Sequence, residues 1–432
     1  MKKIISHKTV IDKLPRGEFA CIKNPEGVFP ELDYIPLAKK KNELKDIRTV
    51  VCDMDGTTTT TENLCIHSLE FMVRKISGRM DMSTWQGLDK EKDYPHIIGN
   101  STTRHVEYLI DSYRFNIDEN AIKKAFIEAA AWFFRFGKDP LRVRDVQTSC
   151  KILNCEGIEN DVELSDKDLY KKYKRSCVID SKSKIVRASV DIYYQRYHEI
   201  LMAVDQRKAI PMSNLIHGMS KENLIEPMPG VAIFISLIKG WLTADELKFL
   251  TPILMNDYAE KYGAEYEGDA DLSSLAMYFT EHPVKLALVT SSIFYEADIV
   301  IKQVFTAIRK DVGNWPVSTS KKKLLQHQFA EYTRVYDAFV TANDSHEIRL
   351  KPHRDLYSIA LNTLHVASKD MDKVMGFEDS ESGTIAIRAA GIPCAVALPF
   401  AETSGHDLSA ASHIVQGGLP EVILDHRLFL KK

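Results

Sequence analysis

The sequence predicts an α/β protein: a doubly wound parallel sheet, interrupted after its first strand by an inserted α-helical domain. Three observations predict this. Short apolar runs alternate with helical patterns, the order that gives right-handed crossovers and a parallel sheet. Several of these runs stop at carboxylates or hydroxyls, and strand carboxyl ends are where open α/β sheets bind ligands. Between the first run and the next lies a long stretch that reads as helix alone.

The elements follow in order. Residues 1–46 have no clear period and are broken by Pro15, Pro25, Pro30 and Pro36, so an irregular extension is expected there. Ile47 to Cys52 is β-branched, with charge before it and Gly56 after, and reads as a buried strand. Thr61 with Glu62 has the form of a helix N-cap, and Gly78 of a stop. Ser101 or Thr102 caps a second helix, and Asp118 caps a third that runs to Phe136. Ser189 to Gln206 carries Ile192, Tyr193, Tyr197 and Ile200 at helical spacing. Pro227-Met228-Pro229-Gly230-Val231 stops any helix and reads as the return to the sheet. Thr243-Ala244-Asp245-Glu246 is a capping box. Strands are expected at Val284–Val289, Ala338–Thr341, Lys373–Phe377 and Pro393–Leu398, with helices between them. Lys351-Pro352 opens one of those helices. The expected division is an extension (1–46), a sheet domain (47–60 and 225–432, with a small insertion at 240–282) and a helical domain (61–224).

Composition bounds the function. The chain has 432 residues, 44% hydrophobic and 27% charged, with a net charge of −3, as in a soluble globular protein. That balance gives no reason to expect nucleic acid or a membrane as partner. Lys39-Lys40-Lys41 and Lys321-Lys322-Lys323 read as solvated faces. The seven cysteines are scattered, with no C-x-x-C, which argues against a disulfide framework or structural zinc. Neither a signal peptide nor a membrane helix is evident, so a cytoplasmic protein is expected. The oligomeric state is left open.

The chemistry is concentrated at the strand ends. Asp53 and Asp55, on alternate positions of an extended chain, point the same way. Thr290-Ser291-Ser292 follows the second strand of the sheet, and Glu378-Asp379 the fourth. Carboxylates from separate strands make an oxygen-only pocket suited to a hard cation such as Mg²⁺. A carboxylate can attack phosphorus, and a lysine and a hydroxyl can neutralise the transferring oxygens. Taken singly, each of these groups is more often a cap, a loop residue or a surface lysine. Their joint order is what points to phosphoryl transfer.

That order resembles the haloacid dehalogenase-like (HAD) superfamily, and within it the β-phosphoglucomutase-like phosphohydrolases with a helical cap. The residues that carry it are Asp53-Met54-Asp55-Gly56-Thr57, Leu288 to Ser292, Lys351-Pro352 with Asp355, and Phe377-Glu378-Asp379-Ser380 running on to Gly391. The resemblance covers roughly residues 47–60, 225–239 and 284–425. It implies a HAD Rossmann-like core, with Asp53 as nucleophile and Asp55 as general acid/base. Thr290, with the Ser291 backbone, would bind the transferred phosphoryl group, and Lys351 would neutralise it. Asp53, Asp379 and the Asp55 backbone carbonyl would hold Mg²⁺, with Glu378 assisting. A cap residue, Arg104 or His105, would face the leaving group of a small phosphorylated metabolite.

There are departures from the family pattern. Thr60 stands where an acid is common, and Cys65 where the sugar phosphomutases carry a histidine, with His67 nearby. Thr102 stands where those mutases place an arginine. The leading expectation is therefore a Mg²⁺-dependent phosphatase. The alternatives are a sugar phosphomutase and a catalytically idle binding protein on the same scaffold.

Overall fold

A computed structural model describes residues 14, 16–24, 28–79, 83, 85–98, 102–208, 210, 212–213, 216, 223–263, 265–268, 271–400, 403 and 405–431. The chain divides into two units. One comprises Met1–Thr58, Pro227–Phe294 and Ile308–Lys432, and the other Thr59–Glu226 with Tyr295–Ala307. The Phe294–Val312 helix, expected wholly within the sheet domain, therefore has its middle grouped with the helical unit.

The first unit is built on a six-stranded parallel sheet. Its strands are β3 (Thr49–Asp53), β4 (Lys285–Val289), β5 (Ala338–Val340), β6 (Val374–Glu378), β7 (Cys394–Ala397) and β8 (His413–Ile414). Their order across the sheet is β5-β4-β3-β6-β7-β8. Central strands of a parallel sheet are covered on both faces and read as continuous apolar runs. β3 fits this, with all five residues buried. The chain winds outward from β3 through β4 and β5, then returns to place β6 on the other side of β3. The reversal leaves a crevice at the carboxyl end of β3, the place where doubly wound sheets bind ligands.

The N-terminal segment differs from its expected irregularity. β1 (Phe19–Lys23) and β2 (Leu32–Pro36) pair antiparallel as a hairpin. Arg388, 1% exposed, ties the following segment to the sheet unit by donating to the carbonyls of Ala38 and Ala410. β8 is a sixth strand that the sequence did not mark. It has two residues, too short for any period to register. The 240–282 insertion is a pair of helices, Ala244–Tyr262 and Ser273–Glu281. The first opens on the expected capping box between Thr243 and Glu246.

The second unit contains the helices Glu62–Ser77, Thr102–Tyr113, Glu119–Phe136, Pro140–Ile152, Asp166–Tyr173 and Lys182–Asp205. Asp118 caps its helix as expected, accepting from the Ala121 N–H. Thr61 does not: its backbone is already helical and its side chain makes no capping bond. Its hydroxyl lies instead 3.4 Å from that of Thr59. Ser101, expected to cap the next helix, lies outside the described residues. Within this unit His198 and Glu296, both buried, are joined at 2.8 Å. That pair helps explain why the residues after Phe294 group with the helices.

Candidate active site

The sheet register determines what meets at the crevice. Asp53, the last residue of β3, pairs with Val289, the last residue of β4, so Thr290 stands one step past the end of that strand. On the other side Cys52 pairs with Phe377, which puts Glu378 beside Asp53 and Asp379 just past it. Asp53, Thr290, Glu378 and Asp379 are all buried. Gly56 turns the chain after β3 at φ +81°, and a Cβ there would lie 2.7 Å from Asp379 Oδ2. Both the backbone angle and the close approach require glycine.

Two linked networks result. In the first, the Lys351 ammonium donates to Asp53 Oδ1 and, at 2.7 Å, contacts Glu378 Oε1. The Tyr357 hydroxyl donates to the same Glu378 oxygen at 2.8 Å, and the Thr57 hydroxyl donates to Asp379 Oδ1 at 3.1 Å. In the second, Thr290 and Ser292 both donate to Asp55 Oδ2, at 2.8 and 3.2 Å. Thr58 anchors the turn by donating to the carbonyl oxygens of Asp53 and Met54.

Electrostatics follow from burial. Loss of solvent, then repulsion by Glu378, holds the Asp53 carboxyl well above the usual range, with Lys351 pulling the other way. Burial opposes the charge on Lys351, but Asp53 and Glu378 outweigh it and the ammonium is held above its ordinary value. Asp53, Glu378 and Asp379 offer oxygens all within 4.8 Å of one another. The donor set contains neither imidazole nor thiolate, which selects a hard cation. Three clustered carboxylates face one ammonium, so a further positive charge fits.

The structure thus brings together Asp53, Asp55, Thr290, Lys351, Glu378 and Asp379. The Asp55 carboxylate accepts from the two hydroxyls and is not one of the three clustered carboxylates. Ser291 lies beside Thr290, but the second hydroxyl that reaches Asp55 is that of Ser292, which the sequence reading named in the motif without giving it a role. Thr57, Tyr357 and Ser292 were missed as site residues. Of these Thr57, next to Gly56, and Ser292, in the hydroxyl run after β4, carried a local signal, and Tyr357 carried none. The helix after Lys351 begins at Asp355, later than expected, and Arg349 clamps Asp355 at 2.8 and 3.0 Å. Arg104 lies in the helical unit, on the exposed side of the Thr102–Tyr113 helix, while His105 is buried.

No protein-family model matches the chain, and no curated protein matches it. Solved structures do. CbbY from Rhodobacter sphaeroides, in complex with phosphate, is 13% identical with a TM-score of 0.38, covering 87% of this chain and 96% of its own. A HAD hydrolase, family IA, variant 3 from Entamoeba histolytica is 12% identical with a TM-score of 0.35, covering 85% and 92%. At such values the likeness carries no argument about activity, and the fold rests on the strand order above. The chain is similar to these HAD-superfamily structures.

Proposed function

We propose that the protein is a Mg²⁺-dependent phosphohydrolase of the haloacid dehalogenase-like type, acting on a small phosphorylated metabolite. The observation that carries this reading is the Asp53 carboxylate at the end of β3. Lys351 holds it, Glu378 and Asp379 flank it, and Asp55 stands two residues on, oriented by Thr290 and Ser292. Asp53 attacks phosphorus, and the bond from phosphorus to the leaving oxygen breaks. Asp55 gives that oxygen its proton, which leaves an aspartyl-phosphate on Asp53. Water then attacks phosphorus and gives its proton to Asp55, and the bond to Asp53 breaks. Thr290 and the Ser291 backbone bind the phosphoryl oxygens, and Lys351 neutralises charge on them. Asp53, Asp379 and the Asp55 backbone carbonyl would hold Mg²⁺, with Glu378 beside them. When bound, the ion supplies positive charge to the phosphoryl group. Arg104 is proposed to contact the leaving group.

The test is phosphate release from a panel of phosphorylated metabolites, with Mg²⁺ and after exhaustive chelation. Release that requires Mg²⁺ supports the reading. Full activity without metal removes the cation from it, and isomerisation of a hexose 1-phosphate without net release would replace it with a phosphomutase. Cys65 and Thr102, which stand where the mutases carry histidine and arginine, favour hydrolysis.

A further inference from the structure

Glu378 differs from its two acidic neighbours in how completely the protein occupies it. Its Oε1 accepts from Tyr357 at 2.8 Å and contacts Lys351 at 2.7 Å. Its Oε2 accepts from the N–H groups of Asp379 at 3.2 Å and Ser380 at 3.4 Å, and from the Ser380 hydroxyl at 3.0 Å. A carboxylate has about four lone-pair sites, and here five donors converge on it. Nor has it room to turn. A Cβ on Gly383 would lie 1.7 Å from the Glu378 carboxyl carbon, so the Ser380–Gly383 turn is packed directly against it. Tyr357 is fully buried, and its ring lies 5.3 Å from the Lys351 nitrogen. It therefore touches both members of the pair.

We infer that Glu378 and Tyr357 are positioning residues that aim Lys351 at Asp53, and that Glu378 stays outside the coordination of the cation. The inference rests on the proposed phosphohydrolase reading and refines it: the metal is left to Asp53, Asp379 and the Asp55 carbonyl. An ammonium on a flexible four-carbon stem has no fixed direction of its own. The Glu378 carboxylate, held at Oε1 by Tyr357 and at Oε2 by two backbone N–H groups, supplies that direction. Mg²⁺ demands near-ideal octahedral geometry and sheds water reluctantly. A carboxylate already saturated and wedged is a poor ligand for it.

The experiment is Mg²⁺ titration by calorimetry beside steady-state kinetics, on the native protein and on Glu378→Gln, Asp379→Asn and Tyr357→Phe. Asp379→Asn is expected to lose Mg²⁺ binding. Glu378→Gln is expected to keep it, weakened by about 10–100-fold as for a residue that supports the ligands without joining them. Tyr357→Phe removes one hydroxyl and keeps the ring. It should lower kcat about tenfold at saturating Mg²⁺, the effect of losing a hydrogen bond to a charged group, with KM and Mg²⁺ affinity unchanged. A merely structural role for Tyr357 would lower the melting temperature and leave kcat alone. The inference is overturned if Glu378→Gln loses Mg²⁺ as completely as Asp379→Asn. Should Glu378→Gln fail to fold, Tyr357→Phe decides. Weaker Mg²⁺ binding with kcat restored at high Mg²⁺, or an unchanged kcat, overturns the inference. A native protein that binds no Mg²⁺ at all removes the cation from the phosphohydrolase reading and overturns this inference with it, while phosphate release from the metabolite panel tests the rest of that reading separately.

Discussion

Replacing Lys351 with Met tests the charge balance of the crevice most directly. The side chains of Lys351, Asp53 and Glu378 are only 7%, 6% and 1% exposed, so solvent screens their interaction little. Met keeps most of the stem and removes the ammonium, leaving three acids with no protein cation between them. Removing one partner of a buried pair costs about 3–5 kcal/mol. At roughly 2–4 °C per kcal/mol for a domain of this size, the melting temperature should fall by about 6–20 °C in chelator. The carboxyls are easier to bury protonated, so the loss should grow as pH rises. Millimolar Mg²⁺ should recover more stability in Lys351→Met than in the native protein, because the ion replaces the missing charge. A ligand at a hundred times its Kd contributes about 2.7 kcal/mol. Turnover should still fall by about 10²–10³, since the group facing the transferring oxygens is gone. Calorimetric melting with chelator and with Mg²⁺, at two pH values, reads all of this. A metal-free variant within about 1 kcal/mol of native, or equal Mg²⁺ shifts in both proteins, would refute the argument.

Further outcomes follow from the same geometry. Asp53→Asn should fold and lose roughly 10⁴-fold or more in turnover, since an amide is a poor nucleophile; retention of more than about 1% of native kcat would contradict covalent catalysis. In the metal-free protein Asp53 binds its proton more tightly folded than unfolded, because its value is raised. Its contribution to stability is therefore present below the unfolded carboxyl value near ~4 and is lost as pH rises through the folded value. Urea unfolding across pH in chelator should show this decline, and Mg²⁺ should flatten it; a rise with pH over that window would count against it. Arg104→Ala should raise KM for the true substrate and spare a generic aryl phosphate; equal loss on both would point to misfolding, and no loss on either would place Arg104 outside the site.

The acids and the hydroxyl of the site were legible because the strands that end at them are buried; Lys351 lies on no strand and was legible only as the Lys-Pro pair ahead of a helix. Val50-Val51-Cys52 and Leu286 to Val289 are continuous apolar runs, and a polar residue at their ends stands out. The β1–β2 hairpin was illegible because its one-sided alternation is weak and prolines flank it. The bond from Tyr357 to Glu378 could not be read either. It joins the Asp355–Thr363 helix to the end of β6, and nothing near Tyr357 in sequence marks its hydroxyl as paired. Thr61 has good capping chemistry, yet its backbone is already helical and its hydroxyl makes no capping bond.

The strand order also has a consequence for synthesis. β3 is made early, but its neighbours come much later: 235 residues separate Asp55 from Thr290, and 298 separate Asp53 from Lys351. As the chain leaves the ribosome, the Glu62–Ser77 to Lys182–Asp205 helices appear first and make their local contacts while β3 has no partner on either edge. An unpaired apolar strand is a template for the wrong pairing, and domains form as units during translation. Thr49 to Cys52 is thus the segment most exposed to misassembly until β4 and β6 arrive. The Asp53 carboxyl at its end acquires its counter-charge, Lys351, only with the last third of the chain.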